Sequence, residues 1–407
     1  MRRRSHPPRV PDHIGTRYEC ERVGADGGNY ARHVTATVEE ILAIVEDRSG
    51  RTPSGDESFF EGLELLSIGL DQPSVRPGGR SIISSEIANQ LINRLRVDAH
   101  HAANPHLASS PVTAPIVILG LPRSGTTALS YLLDCSPDVR SLLNWEAVMS
   151  VPPPSAETLR TDQRCLEMLE FQQAVFPKID PPPPHWEWAD GPTECTFVLA
   201  QDVKSVMWDA RLPLPAHRDW IESCDMASAY RHHRRTLQVL QSEAPGQWVL
   251  KMPAHAFFID ALLAEYPDAR IIWTHRDPIR CVASFLDLAG FSQRLSLGEP
   301  NRNWNVETFP PRLAEYIRRA DRALAGRDVL HVHYRDLVGD PVNTGIAALQ
   351  WAGLPVDGSA IESMRSWVNA DPLRRPRTRP YALADWGLEP TDLDPVFADY
   401  AATHDLN

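Results

Sequence analysis

Residues 120–127, GLPRSGTT, combine a glycine-containing turn with three hydroxyl side chains and directly follow an apolar run. The run Ile116–Gly120 is typical of a β-strand, and the residues from Thr126 onward have the spacing of a helix. A strand that turns straight into a helix leaves the first helical N–H groups unpaired at the positive end of the helix dipole. The segment therefore indicates a site for an anion such as phosphate, with a plain βα turn and helix-capping hydroxyls as the alternative.

Gly120 and Gly125 have the spacing of the glycines in G-x-x-x-x-G-K-[ST], the phosphate loop of nucleotide hydrolases. That loop uses its lysine and the following hydroxyl to hold phosphates and Mg²⁺, but Thr126 occupies the lysine position here. The difference weakens the prediction of a magnesium-dependent triphosphate site. A nucleotide kinase or hydrolase that uses ATP and Mg²⁺ stays as an alternative function, and so does a non-catalytic nucleotide-binding protein.

Three further polar residues are expected at the same edge of a sheet. Lys251 ends one predicted strand, Arg276 ends the next, and Ser284 lies about two turns into the following helix. Because parallel strands present their carboxyl ends to one crevice, these side chains should meet near the glycine-containing turn. Taken singly, each has an ordinary explanation: a solvated charge at a strand end, an ion pair with Asp277, and a hydroxyl on a helix surface.

These motifs, in this order, resemble those of the PAPS-dependent sulfotransferases, whose sulfuryl donor is 3′-phosphoadenosine 5′-phosphosulfate. PRSGTT, with LLDCSPDVR behind it, is similar to the 5′-phosphosulfate loop of tyrosylprotein sulfotransferases and of the broad bacterial sulfotransferase group. RDPIRCVAS is similar to their 3′-phosphate motif, and YPDARI, HYRDLVGDP and RPYALADWGL also resemble segments of these proteins. The resemblance extends from about Ser54 to the C-terminus.

The resemblance implies PAPS as cosubstrate, PAP as product, and a set of residues that bind the nucleotide. The 5′-phosphosulfate would be held by the loop residues Arg123, Ser124, Gly125, Thr126 and Thr127. The 3′-phosphate would be held by Arg276 and Ser284, and a guanidinium fork with a hydroxyl suits that dianion. A basic stretch near the C-terminus, either a loop over the same phosphate or a solvated tail segment, contains Arg374, Arg375, Arg377 and Arg379.

In-line sulfuryl transfer needs a base for the acceptor proton and cationic groups for the charge that develops on the leaving phosphate oxygen. By resemblance, Lys251 would contact the bridging oxygen, Arg123 would share that role, and no metal is required. Glu146 lies near the position of the catalytic glutamate of tyrosylprotein sulfotransferases, and His255 lies near that of the histidine of the cytosolic enzymes. We favour Glu146 as the base. The structural alternatives are a loop salt bridge for Glu146 and a packed or capping residue at a helix start for His255.

One departure from the cytosolic enzymes concerns the adenine. Their pattern has a tryptophan directly after the two threonines, and this chain has Ala128 there. The resemblance therefore does not identify the residue that stacks on the adenine.

The elements needed to position these residues are those of an α/β fold. The runs IVILG, WVL, RIIWT and VLHVH predict strands that alternate with amphipathic helices, hence a P-loop-type parallel sheet flanked by helices. We expect an extended N-terminal arm over residues 1–34, a helical N-terminal region over 35–110 and a sulfotransferase α/β domain over 111–407. That domain would contain a largely helical substrate-lid insertion at 145–246 and a C-terminal basic and helical tail.

The composition of the 407-residue chain narrows its partners. A net charge of −12 argues against nucleic-acid binding through a general basic field. Six cysteines without C-x-x-C spacing fit reduced thiols, and His331 and His333 have no third ligand nearby in sequence, so no metal site is expected. Without a long apolar segment or a signal peptide, we expect no membrane span and a cytoplasmic location. The acceptor, a small molecule or a peptide, stays open, and a homodimer is an option.

Overall fold

The computed structural model describes residues 38–51, 53, 58–370 and 382–406 of the chain. All the described elements belong to one unit, residues 36–407. The expected N-terminal arm, residues 1–34, lies outside the described residues, and so do Arg374, Arg375, Arg377 and Arg379.

A five-stranded parallel sheet lies at the centre of the described chain, in the order β2-β3-β1-β4-β5. The strands are β1 (Ile116–Gly120), β2 (Val139–Ser141), β3 (Gln247–Lys251), β4 (Arg270–His275) and β5 (Val329–His333). Gly120 at the end of β1 is in register with Thr274 of β4, and Ile118 is in register with Lys251 of β3. The turn after β1 therefore lies between the strand ends that carry Lys251 and Arg276.

Helices cover the sheet, form most of the described N-terminal region and alternate with irregular segments in the insertion. Before β1 lie α1 (Val38–Ser49), α2 (Phe60–Leu70) and α3 (Pro77–Ala103). Between β1 and β3 lie α4 (Thr126–Leu133), α5 (Asn144–Val148), α6 (Gln163–Val175), α7 (Thr196–Leu199), α8 (Pro215–Ile221) and α9 (Ala227–Gln241). After β3 lie α10 (Ile259–Glu265), α11 (Pro278–Leu297), α12 (Arg302–Leu324), α13 (Tyr334–Gly339), α14 (Pro341–Trp351), α15 (Gly358–Ala370) and α16 (Pro390–Thr403).

The apolar side chains of β1 alternate between two cores. Val117 and Leu119 pack with residues of α7, α9, α11 and α12 on one face of the sheet. Ile116 and Ile118 pack with residues of α4, α14 and α15 on the other face. All four are fully buried, and each burial stabilises the fold by roughly 1.5–3 kcal/mol. Strand β1 is therefore a firm support for the turn that follows it.

The N-terminal helices form a separate core with part of the insertion. Ile41, Leu66 and Ile87, one from each of α1, α2 and α3, are buried in the same cluster as Trp208 and Leu214. Other insertion residues, in α7 and α9, belong to the core of the sheet. The insertion is thus fixed by packing on both the N-terminal helices and the sheet.

The α/β fold class expected from the sequence is confirmed, and four of the five strands coincide with the predicted apolar runs. The short strand β2 was not predicted. Among the described residues, no helix has the length and apolar character that crossing a membrane requires. The five described cysteines are free thiols, and Cys20 lies outside the described residues.

Candidate active site

The turn between β1 and α4 has an unusual backbone at three positions. The φ angle is 145° at Gly120, 72° at Arg123 and 101° at Gly125. A Cβ at position 120 would lie 2.5 Å from the carbonyl oxygen of Thr274, so only glycine fits where β1 passes the end of β4. A positive φ at a residue such as Arg123 is strained, and strain of this kind clusters at functional sites. The turn therefore has a conformation that local preference alone would not select.

Ser124 ties this turn to β4. Its fully buried hydroxyl donates to the carbonyl of Leu121 at 2.6 Å and lies 2.6 Å from the hydroxyl oxygen of Thr274. The Ser124 side chain thus supports the turn. To contact a bound anion, as the sequence interpretation expects, the hydroxyl would have to leave these partners.

Helix α4 begins directly after Gly125, and no side chain of the described residues caps its start. Thr126 is buried, whereas Thr127 is partly exposed and accepts a hydrogen bond from Nζ of Lys251 at 3.3 Å. Uncapped N–H groups at the positive end of a helix dipole attract an anion. The helix start therefore has the form that the sequence predicts for an anion site.

Arg123, Arg276 and Ser284 meet beside this helix start. Nε of Arg123 donates to Oγ of Ser284 at 3.0 Å, and NH1 of Arg276 donates to the backbone carbonyl of Arg123 at 2.7 Å. The guanidinium of Arg276 also lies 4.1 Å from the ring centroid of Tyr334. Ser284 is buried, and both arginines are partly exposed. The structure thus joins the turn, the end of β4 and α11 through residues that the sequence places at one edge of the sheet.

Lys251, at the end of β3, lies among two carboxylates and a hydroxyl. Its Nζ is 2.6 Å from Oε1 of Glu187, 3.3 Å from Oε1 of Glu194 and 3.3 Å from Oγ1 of Thr127. The side chain of Lys251 is 1% exposed, against 6% for Glu187 and 25% for Glu194. This ammonium group therefore connects the insertion, which carries both glutamates, to the start of α4.

The Lys251–Glu187 pair is charged on both sides. Burial by itself would raise the pKa of the Glu187 carboxyl, but Lys251 and His185 outweigh burial and hold that pKa well below its usual value. Burial would lower the pKa of the Lys251 ammonium, but Glu187 and Glu194 hold it above its usual value. A buried lysine that stays protonated can stabilise negative charge that develops next to it.

Residues 184–187 of the insertion lie against the turn. The carbonyl of Pro184 accepts a hydrogen bond from NH2 of Arg123 at 3.3 Å. Nε2 of His185 lies 3.2 Å from Oε1 of Glu187, the oxygen that also contacts Lys251. Through this segment, the insertion therefore reaches both Arg123 and Lys251.

The sequence interpretation did not include His185, Glu187 or Glu194. One ligand atom of each lies within 4.8 Å of the others, and the ammonium of Lys251 already supplies a cation to the two carboxylates. All three lie in HWEWADGPTE, which has neither strand nor helix periodicity. The one signal was the alternation of Glu187 with Trp186 and Trp188, an acidic residue between two large apolar ones.

Glu146, the base favoured from the sequence, forms a buried ion pair with Arg140. Its Oε2 accepts from NH1 of Arg140 at 2.8 Å and from the N–H of Leu143 at 3.1 Å, and its Oε1 accepts from NH2 of Arg140. The Glu146 side chain is 0% exposed. The salt bridge that the sequence left as the alternative for this residue is therefore present, and it occupies both carboxylate oxygens.

His255, the second candidate base, is a buried neutral imidazole just after β3. Its Nδ1 lies 2.8 Å from the hydroxyl of Tyr230, and its Nε2 has no hydrogen-bond partner among the described residues. Burial and, to a lesser degree, His233 lower the pKa of His255 well below its usual value. The ring can accept a proton only from a group that enters the interior.

Comparisons with known proteins concern the chain and its fold as a whole. Residues 115–358 match the model of the sulfotransferase family. The structure is similar to that of sulfotransferase STF9 from Mycobacterium avium, with a TM-score of 0.85 and 36% identity over 92% of this chain and 98% of the other. It is also similar to sulfotransferase STF1 from Mycobacterium tuberculosis H37Rv, with a TM-score of 0.78 and 27% identity over 90% and 99%. No curated protein matches the sequence significantly.

Proposed function

The chain belongs to the sulfotransferase family, and we propose that it moves a sulfuryl group from PAPS to a hydroxyl or amine of an acceptor and releases PAP. The observation that carries this proposal is the meeting of Arg123, Arg276 and Ser284 beside the uncapped start of α4. A helix start suits one phosphate, and a guanidinium with a hydroxyl suits a second. Two such elements side by side fit a nucleotide that carries phosphates at its 5′ and 3′ positions.

In this proposal the turn holds the 5′-phosphosulfate and the end of β4 holds the 3′-phosphate. The N–H groups at the start of α4 and the guanidinium of Arg123 bind the first anion, with Thr127 beside them. Arg276 and Ser284 bind the second. The bond between Arg123 and Ser284 connects the two subsites, so a ligand at one subsite orients a residue of the other.

Lys251 is the proposed catalytic cation. During transfer the acceptor oxygen bonds to sulfur while the bond between sulfur and the bridging phosphate oxygen breaks. The ammonium of Lys251 neutralises the charge that this oxygen gains, and Arg123 assists. To do so, Lys251 gives up one of its present partners. Glu194 is the easier one to release because it is more exposed and lies 3.3 Å away, against 2.6 Å for Glu187.

We propose His185 as the base and Glu187 as the residue that positions it. Nε2 of His185 lies against Glu187, and Nδ1 makes no hydrogen bond within the described part of the chain. When Nε2 carries the ring hydrogen, Nδ1 takes the acceptor proton and Glu187 stabilises the resulting imidazolium, as in other base–carboxylate pairs. The contacts of Glu146 and His255 with Arg140 and Tyr230 make these two residues the weaker candidates.

The acceptor surface proposed here lies in the insertion. Trp186 and Trp188 flank Glu187, and their rings lie 5.1 and 5.5 Å from that of Phe176. All three rings are partly exposed. Aromatic side chains offer a large apolar contact area next to the proposed base. This arrangement favours an acceptor whose hydroxyl or amine is attached to an apolar group.

Radiolabelled PAPS tests the proposal directly. The full chain is incubated with labelled PAPS, EDTA and a panel of phenols, alcohols and amines, and labelled products and PAP are quantified. We expect acceptor-dependent transfer without added Mg²⁺, and its loss in Lys251→Ala. Hydrolysis of ATP with Mg²⁺, without any PAP formed from PAPS, would support the nucleotide hydrolase instead and would overturn the proposal.

A further inference from the structure

Three histidines from distant parts of the chain meet at the edge of the sheet. His275 ends β4, His331 lies in the edge strand β5, and His404 directly follows α16. One ring nitrogen of each lies within 4.8 Å of a ring nitrogen of the other two. The rings of His275 and His404 are stacked with centroids 4.0 Å apart, and Nε2 of His275 lies 2.8 Å from Nδ1 of His331. The proposed sulfuryl transfer uses none of them.

The hydrogen bonds around the cluster direct a lone pair into it. Nδ1 of His275 lies 3.0 Å from the hydroxyl of Tyr400, in α16. In the tautomer whose Nδ1–H donates to Tyr400, Nε2 of His275 carries a lone pair that faces His331. A metal-binding histidine usually has this kind of partner on its other nitrogen, which fixes its tautomer and orientation. Tyr400 is therefore placed as the outer partner of a ligand.

Unpaired nitrogens form the second line of evidence. Nε2 of His404 and Nδ1 of His333 are buried and make no hydrogen bond among the described residues. The ring of His333 lies 5.6 Å from that of His275. A buried polar atom without a partner destabilises the fold, so two of them in one cluster point to a ligand that would pair with them. Among the described residues, no carboxylate pairs with any of these four histidines.

We propose that His275, His331 and His404 bind one divalent transition-metal ion. Imidazole nitrogen suits zinc, copper and nickel, and three imidazoles with one open position suit zinc best. Zn–N distances of about 2.0–2.1 Å imply N···N separations of about 3.3 Å. On binding, the distance between Nε2 of His275 and Nδ1 of His331 would therefore lengthen slightly, and the distances from His404 to the other two would shorten. His331 changes to its Nε2–H tautomer, so no proton is released. His331 is exposed and provides the way in.

The bound ion would fasten the C-terminal segment to the sheet. It links β4, β5 and the residue after α16. The two strands are already paired with each other, and the C-terminal segment contacts them through the Tyr400–His275 hydrogen bond and the packing of Trp273 on Tyr400 and His404. His275 immediately precedes Arg276, so the same ion would steady the strand end that carries this arginine. The role is structural and its test reads out metal binding, so the test does not depend on the proposed function.

The experiment uses tag-free full-length protein, stripped with EDTA and then titrated with Zn²⁺ and with Co²⁺. We expect one equivalent to bind, a rise in Tm, and the visible absorption of tetrahedral Co²⁺ bound by nitrogen. His331→Ala and His404→Ala should each weaken zinc binding at least about tenfold, the range found for lost ligands and their partners. His106→Ala, at an exposed histidine elsewhere, is the matched control and should bind zinc normally.

Two results would overturn the proposal. One is the absence of stoichiometric zinc binding by the wild-type protein. The other is binding by His331→Ala that equals that of the wild type. Because His331 is exposed, its replacement should leave the fold intact, which circular dichroism checks, so a loss of binding cannot be attributed to unfolding.

Discussion

Two ion pairs on neighbouring strands differ in how completely surrounding protein groups engage their polar atoms. Arg140 of β2 pairs with Glu146, and Lys251 of β3 pairs with Glu187. Both cations are almost entirely buried, at 3% and 1% exposure. Two acidic residues that pair with cations of neighbouring strands therefore have different surroundings, and this difference underlies the separate roles proposed for them.

The polar atoms of the Arg140–Glu146 pair are engaged by other buried groups of the protein. Nε of Arg140 donates to the carbonyl of Ala244, NH1 donates to that of Ser141, and the guanidinium lies 4.8 Å from the ring centroid of Trp248. Both oxygens of Glu146 are engaged as well. Such a pair holds β2 and the start of α5 in place.

The Lys251–Glu187 pair has partly exposed neighbours on both its cationic and its anionic side. Lys251 reaches Thr127 at the helix start, and it also reaches Glu194, which is a quarter exposed. Glu187 reaches His185, which is likewise a quarter exposed. A cation that can exchange partners, next to an imidazole that a ligand can reach, is suited to chemistry rather than to support.

Lys251→Ala should have the largest effect on activity. Removing one preorganised donor to a developing negative charge slows catalysis by about 10²–10³-fold, and a full ammonium should lie at the upper end of that range. Labelled transfer from PAPS, measured well below the Tm of the variant, gives the rate. A rate within about threefold of wild type would mean that Lys251 is only the structural partner of Glu187.

Glu146→Gln should mainly affect stability. Removing one partner of a buried ion pair costs about 3–5 kcal/mol, because Arg140 would keep its charge without compensation. Urea unfolding measures this loss, and the transfer rate per folded molecule should stay close to that of wild type. A large fall in rate with normal stability would restore Glu146 as the base and reverse the comparison.

His185→Ala and Glu187→Gln should lower the transfer rate by about 10²-fold, the low end for a lost base, while PAP affinity changes little. His255→Ala is the matched control, a second histidine close in sequence to Lys251, and should keep most of its activity. The pH–rate profile distinguishes positioning from catalysis, because loss of the base removes the ascending limb. Full activity in His185→Ala, together with loss in His255→Ala, would place the base on the other histidine.

Acid stability gives the smallest expected effect. The native pKa of Glu187 lies below the ordinary glutamate value, so its pair with Lys251 stabilises the fold above about pH 4.5 and loses this contribution as the pH falls further. Glu187→Gln should flatten the pH dependence of unfolding free energy there by up to about 1.4 kcal/mol per pH unit. Glu64→Gln, at an exposed glutamate, should leave the slope unchanged. Equal slopes in all three proteins would contradict the pairing.

The side of the candidate site around the β1–α4 turn was predictable because local sequence determines it. The glycines of the turn, Lys251, Arg276 and Ser284 all lie in or next to apolar runs long enough to predict strands, and parallel strands bring their ends together. Strand β2 was missed because three residues, Val139–Ser141, are too few for a pattern. Its Arg140 is the partner in the buried ion pair of Glu146.

The side of the candidate site formed by the insertion was not predictable because tertiary packing determines it. His185, Glu187 and Glu194 lie in a segment without periodicity, so no helix or strand pattern places them at Lys251. Ala189 of this segment is buried in a small cluster with Leu143, Trp145 and Cys165. The histidine cluster shows the same limit. His331 and His333 lie on one strand, but His275 and His404 come from elsewhere in the chain, so the sequence pattern did not predict that these rings meet.

The most direct test of the central claim is whether the site recognises a 3′-phosphate. Isothermal titration calorimetry in EDTA compares PAP with adenosine 5′-monophosphate, which lacks that group, for wild type, Arg276→Ala and the control Arg280→Ala at an exposed arginine of α11. Charge-assisted bonds of about 1.5–3 kcal/mol each predict that PAP binds wild type and Arg280→Ala about 100-fold more tightly than the monophosphate. Most of that difference should vanish in Arg276→Ala. Equal affinity of the wild-type protein for the two nucleotides would contradict the account.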